Sequence, residues 1–202
     1  MGGKDNSISF YRSKLPYKER QFNHVFQLEP YFEEMIGDKK EVWIADLGAG
    51  LFSTTGSTWP NVEVHLYPSD ILADEYRKLL IEAEVTPVIP IEKQDMSDLT
   101  YRNEFFDIVV CINALDHSED PFLALQEMVR VCKYGGWIYL RHFINNAQNQ
   151  KYSGFHKWNI SDDGNGCKIW GKDDEFYLPE EFDTTVIKNE DYIVSRMQKC
   201  MN

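Results

Sequence analysis

Apolar positions along the chain follow two rhythms. Mostly apolar stretches of strand length occur in Val42–Gly50, Val62–Tyr67, Val85–Ile91, Phe105–Ile112 and Trp137–Ile144, and the first reads as a strand covered on both faces. Pro87 and Pro90 interrupt the third and place it toward a sheet edge. Helical spacing appears between them. Phe22, Val25, Phe26, Phe32, Met35 and Ile36 predict a helix over Lys18–Ile36, divided at Pro30. Leu72, Tyr76, Leu79, Leu80 and Ala83 predict one over Ile71–Ala83. Pro121 opens a third, with Asp120 as cap and Phe122, Leu125, Val129 and Cys132 as its inner face. Lys133–Gly136 ends that helix. Strand and helix alternate through residue 144, which predicts an α/β, Rossmann-like, doubly wound, mostly parallel sheet.

Beyond residue 144 the alternation stops. Asn145–Lys157 reads as a loop, and Gly154–Ile160, a Ser161–Gly166 turn and Cys167–Trp170 read as a C-terminal hairpin. Thr184–Ile187 and Tyr192–Val194 are candidate strands in a charged remainder. Residues 1–16 form a polar tail, from which Phe10, Tyr11, Arg12 and Tyr17 are candidates to fold over a ligand. No linker divides the chain, so the expectation is one domain over 1–202: tail and helices in 1–37, a ligand-binding core in 38–144, and an acceptor-side loop, hairpin and tail in 145–202.

The chemistry gathers at strand ends. The first strand runs into Asp46-Leu-Gly48-Ala49-Gly50, a turn whose glycines admit a ligand to the main chain. Asp70 lies 20 residues past Gly50, the spacing of a ribose-binding acid, and it can also cap the helix that starts at Ile71. A dinucleotide site has a third glycine and a helix end facing a pyrophosphate. Here Ser53 takes the third position and Asp46 precedes the turn. A carboxylate there repels pyrophosphate and suits a phosphate-free ligand carrying an ammonium. S-adenosyl-L-methionine has a ribose, an ammonium and a sulfonium.

The Asp46–Gly50 turn resembles the first motif of class I S-adenosylmethionine-dependent methyltransferases. Asp95 and Met96, just past the third strand, resemble the adenine clamp of that superfamily, and Phe106–Pro121 and Val131–Leu140 resemble its later motifs. The segments Asp70–Tyr76 and Gly154–Asn159 are similar to small bacterial methyltransferases of surface-polysaccharide clusters. The resemblance covers about residues 40 to 160. It implies the class I methyltransferase fold and S-adenosyl-L-methionine as cofactor, with S-adenosyl-L-homocysteine as product. Asp46, Gly48, Ala49, Gly50, Asp70, Ile71, Asp95, Met96 and Asn113 would bind the cofactor. The short Ser- and Thr-rich stretch Leu51–Trp59 departs from the family's long helix and predicts a shortened or irregular one.

Methyl transfer to a hydroxyl requires a base; transfer to an amine requires an unprotonated nitrogen. His117, after the fourth strand, is the first candidate base, with a helix-capping or cofactor-shaping role as the alternative; His156 is the second. Tyr11, Arg12, Arg141, Lys157 and Trp158 are candidates to bind the acceptor, expected to be a small sugar, nucleotide-sugar or glycan precursor methylated on O or N. Competing expectations are an NAD-dependent oxidoreductase or epimerase, and a non-catalytic binding protein of the same fold.

Composition narrows this further. A 43% hydrophobic fraction supplies a full core, and a net charge of −12 disfavours nucleic acid and anionic membrane as partners. Cys111, Cys132, Cys167 and Cys200 have no metal-ligand spacing, no metal-ligand set is evident, and a reducing cytoplasmic setting is expected. No apolar run approaches membrane-spanning length, no signal-peptide core is visible, and nothing sets an oligomeric state.

Overall fold

The computed structural model describes residues 5–13, 15, 25–187 and 191–200. Seven strands form the main sheet: β1 (Glu41–Leu47), β2 (Glu63–Asp70), β3 (Glu92–Lys93), β4 (Phe106–Ile112), β5 (Cys132–Phe143), β9 (Asp183–Ile187) and β10 (Tyr192–Gln198). Their order is β3-β2-β1-β4-β5-β10-β9, and β6 (Asn159–Asp162), β7 (Cys167–Trp170) and β8 (Glu175–Tyr177) form a second, three-stranded sheet. The first five strands of the main sheet are mutually parallel. β10 runs antiparallel to both β5 and β9. The helices are α1 (residues 5–13), α2 (Phe32–Ile36), α3 (Ala73–Glu82), α4 (Pro121–Val131) and α5 (Asn146–Asn149).

Alternate side chains of each strand go to opposite faces. Val42, Ile44, Ile108, Val110 and Tyr139 meet Phe32, Met35 and Ile36 of α2 on one side. Ala45, Leu47, Val109, Cys111, Ile138 and Leu140 meet Ala124, Leu125, Met128 and Val131 of α4 on the other. Ile160, Cys167 and Ile169 of the small sheet join that second cluster, so the expected hairpin is packed on the core of the main sheet. Helices therefore cover both faces of a mostly parallel sheet, the α/β Rossmann-like architecture expected from the alternation.

Several elements depart from expectation, each for a physical reason. The third strand is two residues long and lies after Val85–Ile91, where Pro87 and Pro90 remove ladder donors. Residues 25–31 are not helical; Phe26 and Leu28 exchange backbone hydrogen bonds with residues 57 and 58 instead, leaving Val25 exposed. Phe22 and Tyr17 lie outside the described residues. Residues 51–59 contain no helix at all. The inner face of α4 is Ala124, Leu125, Met128 and Val131, while Phe122 is half exposed and packs edge-on against Phe176. Asp120 caps α4 as expected, accepting from Phe122 N and Leu123 N at 3.0 Å, an arrangement worth about 1 kcal/mol. β5 begins at Cys132 rather than Trp137, with a register shift opposite Phe106 and Ile108. The tail is helical over residues 5–13, and the Asn145–Lys157 loop contains α5.

Candidate active site

The parallel strands end together, and their ends form one rim. At the end of β1, Gly48 and Gly50 have φ of +74° and +71°, a region where an L side chain is strained. Space forbids one as well: a Cβ on Gly48 would overlap that of Ala114, and one on Gly50 would overlap the Tyr11 hydroxyl. Gly48 N and Ala49 N donate to Ser69 O at 2.8 and 2.9 Å, tying the turn to the end of β2. The Asp70 carboxylate completes the tie. Its Oδ2 accepts from Gly50 N at 3.0 Å and its Oδ1 from Leu72 N at 2.8 Å. It does not cap α3, whose N-cap residue is Leu72 and has no side-chain cap. Burial raises the Asp70 pKa, and the two backbone donors offset part of that.

A cavity opens over this rim. Gly48, Gly50, Asp70, Ile71, Met96 and Asp95 line it, and Asn113 and His117 continue its wall past β4. Asn113 adopts a left-handed φ of +51° and accepts from Phe143 N at 3.1 Å, which fixes the strand-to-loop corner. Asp95 accepts from Ser97 N at 2.9 Å. Residues not singled out in the sequence also line the cavity: Ser7, Tyr76, Ser118, Glu119 and Phe155. Tyr76 and Phe155 stood inside quoted motifs, the one as core and the other as a neighbour of His156; Ser118 and Glu119 carried no signal beyond following His117. Tyr11 of α1 lies over the turn, edge-on to Tyr76 at 5.1 Å, with its pKa pushed up to about 12 by burial and the nearby Asp70.

The cavity's charge is one-sided. Among the described residues that line it are three carboxylates, Asp70, Asp95 and Glu119, and no lysine or arginine. Asp46 stands behind the turn rather than in the wall. It is buried and accepts from Ser53 Oγ at 2.5 Å, with its pKa raised by burial. Asp46, expected among the ligand-binding residues, is thus a carboxylate held one layer behind the wall. Ala49 likewise contributes its backbone to the turn and does not line the cavity.

His117 of the cavity wall meets two side chains that do not line it, Asp116 and His156. His117 Nε2 is 3.0 Å from His156 Nδ1, and His156 Nδ1 is 2.8 Å from Asp116 Oδ2. Asn146 Nδ2 donates to the same Asp116 oxygen at 2.9 Å. The loop is pinned there by its backbone, with Lys157 N and Trp158 N both donating to Asp116 O. Burial opposes the ionisation of Asp116, but the hydrogen bond from His156 and the neighbouring imidazoles hold its carboxyl below the usual range. Burial also lowers the His117 pKa, against the pull of Asp116. His142 is fully buried beside them, its pKa pushed down to about 4 by burial.

The expected acceptor-binding cations lie elsewhere. Arg12 pairs with Glu82 at 2.8 Å on the exposed side of α1. The Arg141 guanidinium sits 4.2 Å over the Tyr192 ring. Neither lines the cavity. Lys157 pairs with Glu119, and with Trp158 and His156 it lines a second, neighbouring cavity that also has Glu119 in its wall. Trp158 Nε1 donates to Ser118 O at 3.0 Å.

Residues 45–140, which contain the turn, the rim and His117, match the family model described as a methyltransferase domain. This central part of the chain is similar to a methyltransferase domain. The fold of the chain agrees with solved structures of low sequence identity. A Methanococcus maripaludis protein assigned as an S-adenosyl-L-methionine-dependent methyltransferase superposes with a TM-score of 0.55 at 11% identity, covering 96% of this chain and 93% of that one. The YcgJ protein of Bacillus subtilis gives 0.51 at 15% identity, over 85% and 97%. A curated relative, the ubiquinone biosynthesis O-methyltransferase of Nitrosomonas europaea, is 24% identical over 153 residues, which is 66% of this chain. The chain spans 59% of that relative's length.

The match to a methyltransferase domain implies S-adenosyl-L-methionine as cofactor, and the cavity fits it. Gly48 and Gly50 bring the main chain of the turn into the cavity wall. The wall offers carboxylate acceptors for hydroxyl and amine donors and no cation for a phosphate. The absence of a helix in residues 51–59 removes the dipole that a pyrophosphate would use. No helix among the described residues is long and apolar enough to cross a membrane.

Proposed function

We propose that the protein is an S-adenosyl-L-methionine-dependent methyltransferase that methylates an oxygen of a small molecule. The observation that carries this reading is the cavity's wall: three carboxylates, two glycines of the turn and no lysine or arginine, at the strand ends of the region that matches a methyltransferase domain. When bound, the cofactor supplies a methyl group on a positively charged sulfur, ready for in-line displacement.

The residues divide the work by their chemistry. Asp70 keeps unused lone pairs on both oxygens after taking two backbone N–H groups, and these accept from the ribose hydroxyls. Asp95 accepts from the adenine amine while Met96 packs on the ring. Asp46, behind the turn, supplies negative charge near the ammonium. Tyr11 and Phe155 close the cavity against water, which strengthens every charge interaction inside. The acceptor approaches from the end formed by Ser118, Glu119 and Phe155. There His117 takes the proton from its hydroxyl, and the Asp116–His156 pair orients the His117 ring. A base so placed contributes about 10²–10⁴-fold.

Oxygen is favoured over nitrogen because the histidine cluster can receive a proton, and the relative from Nitrosomonas europaea is itself an O-methyltransferase. A sugar or nucleotide-sugar acceptor is the finer form of the reading. It rests on the Gly154–Asn159 segment, whose His156 belongs to the cluster. The test is incubation with labelled S-adenosyl-L-methionine and a panel of nucleotide sugars, phosphorylated metabolites, catechols and amines, scored by mass spectrometry. Methylation of a hydroxyl compound supports the reading. Turnover confined to amines removes the base role of His117, and no cofactor binding removes the whole assignment.

A further inference from the structure

The Asp116–His117–His156 cluster has more polar atoms facing one another than hydrogen bonding can satisfy. His156 Nδ1 has three polar neighbours: Asp116 Oδ2 at 2.8 Å, His117 Nε2 at 3.0 Å and Asn146 Nδ2 at 3.1 Å. One imidazole nitrogen carries a single hydrogen or a single in-plane lone pair, so it can serve only one of them. Two further observations point the same way. Asp116 Oδ1 is buried without a hydrogen-bond partner, and so are both ring nitrogens of His142, which stands close enough for the charges of Asp116 and His117 to act on it.

We propose that Asp116, His117 and His156 bind a divalent transition-metal ion whose open coordination positions face the cofactor cavity. The three donor atoms, Asp116 Oδ2, His117 Nε2 and His156 Nδ1, are separated by 2.8, 3.0 and 3.5 Å. Metal–nitrogen and metal–oxygen bonds of about 2.0–2.1 Å give donor separations of about 2.8–3.0 Å for octahedral and about 3.3–3.4 Å for tetrahedral geometry. The triangle is thus already of the size a metal requires. Two imidazoles and one carboxylate suit zinc and its first-row neighbours. They do not suit magnesium or calcium, which take oxygen ligands. Asn146 fixes the carboxylate through its 2.9 Å hydrogen bond, the outer support that metal ligands normally have. The two histidine side chains are 34% and 26% exposed, so an ion has a way in.

Metal binding needs nothing from the proposed methyl transfer, but its use does rest on that reading. An acceptor hydroxyl whose oxygen coordinates the ion loses its proton to solvent water, because the ion stabilises the oxyanion. Occupied in this way, His117 Nε2 gives its lone pair to the metal and is no longer the base. The acceptor class sharpens accordingly to hydroxyl compounds, with vicinal diols and catechols best able to use two open positions.

The decisive experiment is calorimetric titration of chelator-stripped protein with zinc chloride, with magnesium chloride in parallel and no cofactor present. One zinc per chain with a Kd of micromolar or tighter, and no magnesium binding, is the expected result. His117→Ala and His156→Gln should each weaken zinc at least 100-fold while leaving the circular dichroism spectrum unchanged. His65→Ala is the control, since Glu41, Glu63 and His65 form another possible chelating group on the surface; it should leave affinity within twofold. A cobalt-loaded sample should show visible d–d bands that His156→Gln abolishes. No zinc binding by the wild type, or full binding by the double variant of His117 and His156, overturns the proposal. Zinc failure with normal S-adenosyl-L-homocysteine binding overturns the metal site alone, whereas zinc binding without cofactor binding overturns the methyltransferase reading alone.

Discussion

The two ends of the cavity are built by opposite means. The rim end is local and main-chain: Gly48, Gly50, Asp70, Asp95 and Asn113 each sit on, or within a few residues of, the end of a parallel strand. Its key tie joins the Asp70 carboxylate to backbone N–H groups. The histidine end is long-range and side-chain: Asp116 and His156 are 40 residues apart, and the contact forms only because the loop before β6 folds back across the end of β4. A rim carried by the sheet is rigid before any ligand arrives. A cluster carried by a loop depends on packing between the two sheets. The lesson is that this fold fixes a cofactor cheaply and leaves the acceptor end to be assembled from whatever its C-terminal part brings over.

That contrast can be broken or sharpened by substitution, and the largest effect belongs to the histidine end. His117→Ala should lower kcat by about 10²–10⁴-fold with cofactor affinity within twofold, measured by turnover and calorimetry. Equal losses in both would mean that the two ends are not separable. At the rim, Asp70→Ala should weaken S-adenosyl-L-homocysteine about 100-fold, equivalent to about 2.7 kcal/mol, because it removes the ribose acceptor and frees Gly50 N. Gly48→Ala should lower folding stability by about 1–3 kcal/mol in urea denaturation, through its left-handed φ and overlap with Ala114. Full stability there would mean that the turn relaxes freely, contrary to a rigid rim.

The smallest effect concerns pH. Burial raises the Asp46 pKa in the folded state. A raised carboxyl contributes stability that is present below its unfolded pKa, near 3.9, and is lost as pH rises through the folded value. Asp46→Asn should therefore unfold at a slightly higher temperature than the wild type at pH 7, and the gap should close as pH falls toward 4. The same variant should bind cofactor a few-fold more weakly. A gap that widens on acidification would contradict the sign.

The contrast also explains what could be read from the sequence. The rim was legible because each of its residues follows a strand that the apolar runs already marked, so position along the chain is position in space. Asp70 at 20 residues past Gly50 illustrates this: parallel pairing of β1 with β2 brings the two together without any long-range information. The face on which Asp46 points was not legible, because a one-residue change in register moves it from wall to interior. The histidine end was legible only in parts. His117 and His156 could each be named, but nothing in a 39-residue separation predicts a 3.0 Å contact. That Arg12 and Arg141 stand outside the cavity wall was not legible for the same reason, since Glu82 and Tyr192, which they contact, come from other elements. The tail's helix depends on Leu15, Ile8 and Tyr11 packing against Leu51, Leu72 and Tyr76, contacts that its own polar composition does not announce.

The account rests on a carboxylate-lined, phosphate-averse cavity at the rim, and one competitive titration tests it directly. Calorimetry of the wild-type protein with S-adenosyl-L-homocysteine, then with NADH, then with each in the presence of the other, should show one S-adenosyl-L-homocysteine site per chain and no heat from NADH. NADH binding that displaces S-adenosyl-L-homocysteine, or NADH binding alone, would contradict it.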